Sequence, residues 1–267
     1  MTAQPQKITA ATVHTMPFVP TLDRQVADSH FDADSEWMRD SLNMMVVGIG
    51  GLGVVNLSRR LRDLAASRYE YVQTVEQRGM AQRRSSTAAV ILAANDEVAP
   101  NLNMAETDLL IGMEPLEALR FCHTLRPGSW CFLSDSRVET ICGGDQKYAY
   151  PDTRDIVAEI EEYGCRCVLL PLSKWKEDAG MEPVHASSAM LGLFCAVFGF
   201  DLAMAKAMVE DKRSASSTQK NIQALEWGYS QYNHSIQMRG TFTTASAGED
   251  YPVAVSEESM VLAGALA

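Results

Sequence analysis

The sequence predicts an α/β fold, a mostly parallel β-sheet with helices on both faces, held between extended N- and C-terminal arms. Three observations predict it. A glycine-rich turn, Gly48-Ile49-Gly50-Gly51-Leu52-Gly53, stands between an apolar run of strand type and an amphipathic helical pattern. Beyond it, strand-like and helix-like segments alternate, the order that yields a parallel sheet when each helix crosses back over it. Segments such as 165–170 are apolar without a break, as strands covered on both faces are. The architecture is Rossmann-like.

Taken in order, residues 1–42 mix Pro5, Pro17 and Pro20 with an acidic stretch and read as an arm, with a short helix around 35–42. Residues 43–233 form the domain. Within it, 43–47 is a strand, 54–68 a helix and 69–76 a β-branched and aromatic second strand, together a βαβ unit. Strands follow at 87–93, 109–113, 130–134 (entered through the Pro127-Gly128 turn) and 165–170. Helices are expected at 116–125, at 152–163 with Gly164 as its stop, and at 187–200, 206–211 and 219–232. Residues 234–267, rich in Thr, Ser, Ala and Gly, read as a second arm.

Composition narrows the classes of function. With 46% hydrophobic and 21% charged residues, the 267-residue chain can bury a full core. A net charge of -11 argues against nucleic acid and anionic membrane as partners, since both need a basic footprint. The longest apolar run, 189–200, is well short of the ~20 residues of a membrane helix and reads as a buried core helix. Six cysteines occur without a C-x-x-C pair, and the N-terminus has no apolar leader segment, so a cytoplasmic location is expected. His123 and His185 stand without a second ligand at metal spacing, and Ser187-Ser188 reads as a helix N-cap.

The chemistry-bearing segment is the turn. Its pattern fits G-x-G-x-x-G in the strand-to-helix context that a dinucleotide fingerprint needs: Gly48 for the sharp turn, Gly50 for close approach to a phosphate, Gly53 for tight helix packing. Glu76, ending the second strand, stands where a ribose-binding acid would. The loop from Gln77 to Ser86, with Arg78, Gln82, Arg83 and Arg84, is polar and cationic and suits a carboxylate, a phosphate or a partner subunit. The glycines could equally serve packing and a turn with no ligand.

Gly48 to Gly53, the loop from Gln77 to Arg83, and the block from Asp108 to Arg120 together resemble the gamma-type domain of 2-oxoacid:ferredoxin oxidoreductases, in particular the small beta subunit of indolepyruvate ferredoxin oxidoreductase. Tyr150-Pro151 before a helix, the apolar helix and the late Glu226-Trp227-Gly228-Tyr229 segment are similar as well. The resemblance spans roughly residues 44–232. It departs at Leu52, where Gln is common, at Arg84 and Ser85, where two glycines are common, and in the two arms.

The resemblance implies a subunit inactive alone, in complex with a large partner that carries thiamine diphosphate, magnesium and 4Fe-4S clusters, decarboxylates an arylpyruvate-type 2-oxoacid and passes electrons to ferredoxin or another acceptor. Coenzyme A would lie at the interface. Ligand-contact candidates are Gly48, Gly50, Gly51, Gly53, Gln77, Arg78, Gln82 and Arg83; no catalytic residue and no metal ligand is assigned. Consistent with this, the chain lacks closely spaced cluster thiolates, and Gly143-Gly144-Asp145 lacks the second glycine of a Gly-Asp-Gly magnesium motif. Two other readings remain open at this stage: an independent NAD(P)-dependent dehydrogenase using Glu76, and an assembly subunit whose turn is empty.

Overall fold

The computed structural model describes residues 40–79, 85–96, 105–138, 150–210 and 214–239, the last seven by backbone alone. Six strands form one sheet: β1 (Ser41–Ile49), β2 (Tyr71–Arg78), β3 (Ser86–Ala94), β4 (Thr107–Gly112), β5 (Leu125–Ser134) and β6 (Arg166–Leu170). Among the described residues seven α-helices accompany them in full: α1 (Val54–Ala65), α2 (Pro115–Phe121), α3 (Thr153–Glu161), α4 (Leu172–Ala179), α5 (Ala186–Phe198), α6 (Leu202–Val209) and α7 (Ala215–Arg239). The strand order is β2-β3-β1-β4-β5-β6. β1, β4, β5 and β6 pair in parallel, while β3 runs antiparallel to both β1 and β2. The predicted class, a mostly parallel sheet with helices on both faces, is what is found.

The expected βαβ unit is present in its three elements, but its two parallel strands are not neighbours. β3 lies between β1 and β2, so the helical crossover from β1 skips a place and a hairpin brings the chain back. Burial explains the choice. From Thr87 to Ala94 every residue of β3 is buried, whereas β2 carries Gln73, Glu76, Gln77 and Arg78 and is exposed or half-buried throughout. An apolar strand belongs inside the sheet, and a polar one tolerates its edge.

Smaller differences have local causes. The short helix expected around 35–42 falls on residues outside those described up to 39, and Ser41 and Leu42 open β1 instead. Pro127-Gly128 sits within β5 as an irregularity, since Thr107 pairs with Leu125 but Leu109 with Trp130. Helix α4 was not expected: eight residues, half of them charged, leave little periodic signal.

Alternate residues of each strand feed two apolar layers. On one face Val46, Ile91, Ile111 and Phe132 pack under Leu57 and Leu61 of α1 and Phe194 and Phe198 of α5. On the other, Met45, Val47, Leu110 and Leu133 meet Ala118 and Phe121 of α2 and Ile156 and Ile160 of α3. Helix α5 is buried on nearly every side, including Cys195, which accounts for the apolar run at 189–200. It crosses α7 at two glycines: a Cβ added at Gly192 would sit 1.9 Å from the Leu225 carbonyl oxygen, and one at Gly228 1.9 Å from that of Ala189. No described helix is long and apolar enough to cross a membrane.

Candidate functional site

The fold places a topological switch point between β1 and β4, because the helix after β1 leads toward β2 and the helix after β4 leads toward β5. In open α/β sheets the crevice at the carboxyl ends of such strands is where ligands bind. The glycine turn and the start of α2 flank it.

Gly48 closes the base of this crevice; a Cβ there would meet the Met113 Cβ at 2.8 Å, while the Met113 amide donates to the Val47 carbonyl at 2.8 Å. Ile49 to Leu52 form a turn closed by the Leu52 amide on the Ile49 carbonyl, with Gly51 in the left-handed region at φ 100°. Gly53, also left-handed at φ 87°, is the N-cap of α1 and faces the Ser187 side chain of α5. Gly50 has ordinary room, since its added Cβ would meet only Ser85 at 3.6 Å or more. Its amide donates to the Ser85 carbonyl at 2.8 Å. One of the turn's amides therefore closes the turn and another ties it to Ser85, and the close-packed glycines are Gly48 and Gly53.

Because β3 is antiparallel, the hairpin between β2 and β3 opens onto the same sheet edge. Gln77 and Arg78 pair with Ala88 and Thr87 at its foot. The Gly50–Ser85 bond ties this foot to the glycine turn, so the structure brings together Gly48, Gly50, Gly51, Gly53, Gln77 and Arg78 at one edge. Gln82 and Arg83 lie outside the described residues. Arg78 donates to Glu76 at 2.9 Å, and Arg59 lies 3.7 Å from the same carboxylate. Glu76 is thus held by two guanidinium groups, two strand spacings (about 9–10 Å) from β1, which removes it from the place a ribose-binding acid would occupy.

Opposite the turn lies a polar network that the sequence reading quoted but gave no role. Glu114, 1% exposed, caps α2 by accepting from the Glu117 amide at 2.9 Å. Its other oxygen accepts from the Tyr150 hydroxyl, which itself accepts from the Leu116 amide at 3.3 Å. Buried Glu117 accepts from the Ser86 hydroxyl at 2.5 Å and from Arg120 at 3.2 Å, joining α2 to the start of β3. Burial raises the Glu114 carboxyl above its usual range, against the pull of the Tyr150 hydrogen bond. The same burial, with the neighbouring Glu114, raises the Tyr150 hydroxyl. Both groups are engaged by the fold itself, the acid capping α2 and the hydroxyl bridging it to the Leu116 amide, so the network is architectural.

Further along the edge, Asp135 accepts from the Ser173 amide at 2.8 Å and from its hydroxyl. Lys176 donates to the Ser136 hydroxyl at 2.9 Å, and Arg137 donates to Thr153 at 2.9 Å and covers the Tyr150 ring. Sequence reasoning missed Asp135, Ser136 and Arg137. Their signal was position, directly after a strand of the parallel set.

The remaining candidates sort as follows. Ser187 and Ser188 lie inside α5; His185 is its N-cap and closes a capping box with Glu182. The N-cap reading of the serines is therefore corrected by two to three residues: Ser187 donates to Val184 and Ser188 to Asn221. Cys122, Cys131, Cys165 and Cys167 share the apolar layer under α2 and α3. Burial pushes the Cys122 thiol up to about 11, and the hydrogen bond to Cys167 together with burial raises that of Cys131. These four side chains are packing residues of that layer. Among the described residues no group of three His, Cys, Asp or Glu is placed to hold a metal ion.

This geometry has known counterparts. The sequence profile of the pyruvate ferredoxin/flavodoxin oxidoreductase family matches residues 43–231. The chain belongs to that family. A member from Archaeoglobus fulgidus, indolepyruvate oxidoreductase subunit IorB, is 28% identical over 195 residues, covering 71% of this chain and 94% of that one. Among solved structures, the gamma subunit of a keto/oxoacid ferredoxin oxidoreductase from Geobacter sulfurreducens superimposes with a TM-score of 0.52 at 18% identity, covering 73% of this chain and 98% of that one. The 2-oxoglutarate:ferredoxin oxidoreductase from Magnetococcus marinus, bound to 2-oxoglutarate, coenzyme A and succinyl-CoA, does so with 0.53 at 13% identity, over 73% of this chain and 31% of that one. The family resemblance read from the glycine turn and the Asp108 to Arg120 block is thereby borne out, and the fold is that of oxoacid oxidoreductase gamma subunits.

Proposed function

We propose that the chain is the small subunit of a thiamine-diphosphate- and iron–sulfur-dependent 2-oxoacid oxidoreductase acting on arylpyruvates of the indolepyruvate type. The observation that carries this is coverage: the chain spans 94% of a relative named as an indolepyruvate oxidoreductase subunit. The site agrees. Its buried acids and tyrosine are locked in structural hydrogen bonds, which leaves positioning and binding as the work of the edge.

In this reading the large partner supplies decarboxylation through thiamine diphosphate and magnesium, and electron transfer to ferredoxin through 4Fe-4S clusters, in the cytoplasm. Among the described residues no group of three His, Cys, Asp or Glu is placed to hold a metal, in keeping with a cluster carried by the partner. Gly50, Gly51, Gln77, Arg78, Gln82 and Arg83 would receive an anionic group of coenzyme A, with Gly48 and Gly53 holding the turn in shape. The experiment is affinity purification of the tagged chain from its native host. A co-purifying iron–sulfur protein with thiamine-dependent activity that oxidises indolepyruvate and reduces an electron acceptor is expected, with no turnover by the isolated chain. Recovery of the chain alone, or 2-oxoacid oxidation by it unaided, overturns the reading.

A further inference from the structure

On the face of the sheet that carries α1, α6 and α7, an open cleft of about 530 Å³ is lined by Arg59, Arg60, Asp63, Glu210, Ser217 and Asn221 among others. Its size is that of a small-molecule site. The charges are unevenly satisfied. Arg59 is drawn to Glu76 at 3.7 Å, and Asp63 is taken by Arg62 at 2.7 Å. Arg60 differs. Its Nη1 donates to the Ser188 hydroxyl at 3.1 Å, and among the described residues no carboxylate comes within ion-pair distance of it. Burial, unopposed by any neighbouring charge, lowers its pKa.

The guanidinium is also held in place. Ser188 passes its hydroxyl hydrogen to the Asn221 carbonyl oxygen at 3.3 Å, and the Asn221 amide donates to the Val209 carbonyl at 3.1 Å. This chain links α1, α5, α7 and the end of α6, so the floor of the cleft is a built hydrogen-bond relay and not a loose surface. A half-buried cation fixed by one neutral partner keeps further N–H groups in a fork that matches a carboxylate or a phosphate. Its desolvation cost is offset only when an anion arrives.

We propose that this cleft binds a small anionic ligand, through a phosphate or carboxylate group received by Arg60, with Arg59 and Ser217 at the rim. The site does not rest on the 2-oxoacid reading and lies on the helical face, where Arg59 links its rim to Glu76 and through it to Arg78.

The test uses the full chain, titrated separately with inorganic phosphate and with succinate against sodium chloride of matched ionic strength. Melting temperature and the side-chain amide NMR signals of Asn221 and Asn56 are followed. Saturable shifts with one or both probes are expected, the responding probe naming the anion class. Arg60→Met should weaken binding tenfold or more while melting in chloride at or above the wild-type temperature, as removal of an uncompensated cation predicts. Ser217→Trp, which fills the rim and leaves Arg60 in place, should weaken binding to a similar degree. Equal response to chloride, wild-type affinity in Arg60→Met, or wild-type affinity in Ser217→Trp overturns the proposal.

Discussion

The Tyr150 hydroxyl donates to the carboxylate of Glu114 across a chain separation of 36 residues, fastening the segment that leads into α3 to the N-terminus of α2. The acid is 1% exposed, so nothing but protein satisfies it. Removing the donor leaves a buried acceptor underpaired, at about 1–3 kcal/mol.

Tyr150→Phe should therefore lower stability by about that amount at neutral pH. Burial raises the Glu114 pKa and the Tyr150 hydrogen bond opposes the rise, so without the hydroxyl the folded-state pKa climbs further. A raised carboxyl means the folded state holds its proton at a pH where the unfolded state has released it, and stability then falls as pH rises. The deficit of Tyr150→Phe should be largest at pH 7 and shrink toward pH 4, as followed by urea denaturation. A deficit constant across that range would place the loss in packing alone.

The α5–α7 crossing allows a sharper steric prediction. Gly192 and Gly228 each leave no room for a methyl group, because the neighbouring element is helix backbone and not a side-chain tip. Gly192→Ala and Gly228→Ala should each cost about 3 kcal/mol or more, near the upper end for overpacking. Gly180→Ala is the control for a left-handed glycine in open space, and should cost only its backbone strain of about 1 kcal/mol. Thermal denaturation orders the three.

Much of this was legible in the sequence where local pattern and global position agree. The glycine turn, the strand from Cys165, and the apolar helix through Cys195 are each dictated by residues within a few positions of one another. The place of β3 was not legible, because Thr87 to Ala94 reads as an apolar strand whether it follows a crossover or a hairpin, and the connecting residues 80–84 carry no short hairpin signature. For the same reason Glu76 looked like a ribose ligand: its spacing from Gly53 is right, and only the intervening strand removes it. The Arg60 relay joins residues up to 161 positions apart, a juxtaposition no spacing rule contains.

At the amino-terminal edge of the sheet, Asp108 accepts from the Asn43 amide at 2.6 Å and sits 2.6 Å from Arg126 Nε. Burial nevertheless pushes its carboxyl up to about 6, outweighing both partners. The ionised form is thus disfavoured by folding, and this group's contribution to stability falls as pH rises from about 4 to about 6. Asp108→Asn carries no such titration. The stability difference between wild type and Asp108→Asn should change across that window, shifting in favour of the variant as pH rises, and stay flat from pH 7 to 8. Urea midpoints at pH 4, 5, 6, 7 and 8 measure it.

Gly50 separates structure from binding within the turn. Gly51 and Gly53 hold left-handed backbone that other residues strain to adopt, and Gly48 is closed in by Met113, so substitutions there confound any ligand effect with misfolding. At Gly50 the backbone is ordinary and the nearest atom to an added Cβ is 3.6 Å away, so Gly50→Ala and Gly50→Leu should fold within about 1 kcal/mol of wild type. If an anionic group of coenzyme A rests against this turn, Gly50→Leu should raise the coenzyme A KM of the assembled oxidoreductase tenfold or more, Gly50→Ala less, with subunit association unchanged. Unaltered kinetics in Gly50→Leu would mean that the glycines here serve the bend of the chain and the seat of α1, leaving the complex to bind coenzyme A elsewhere.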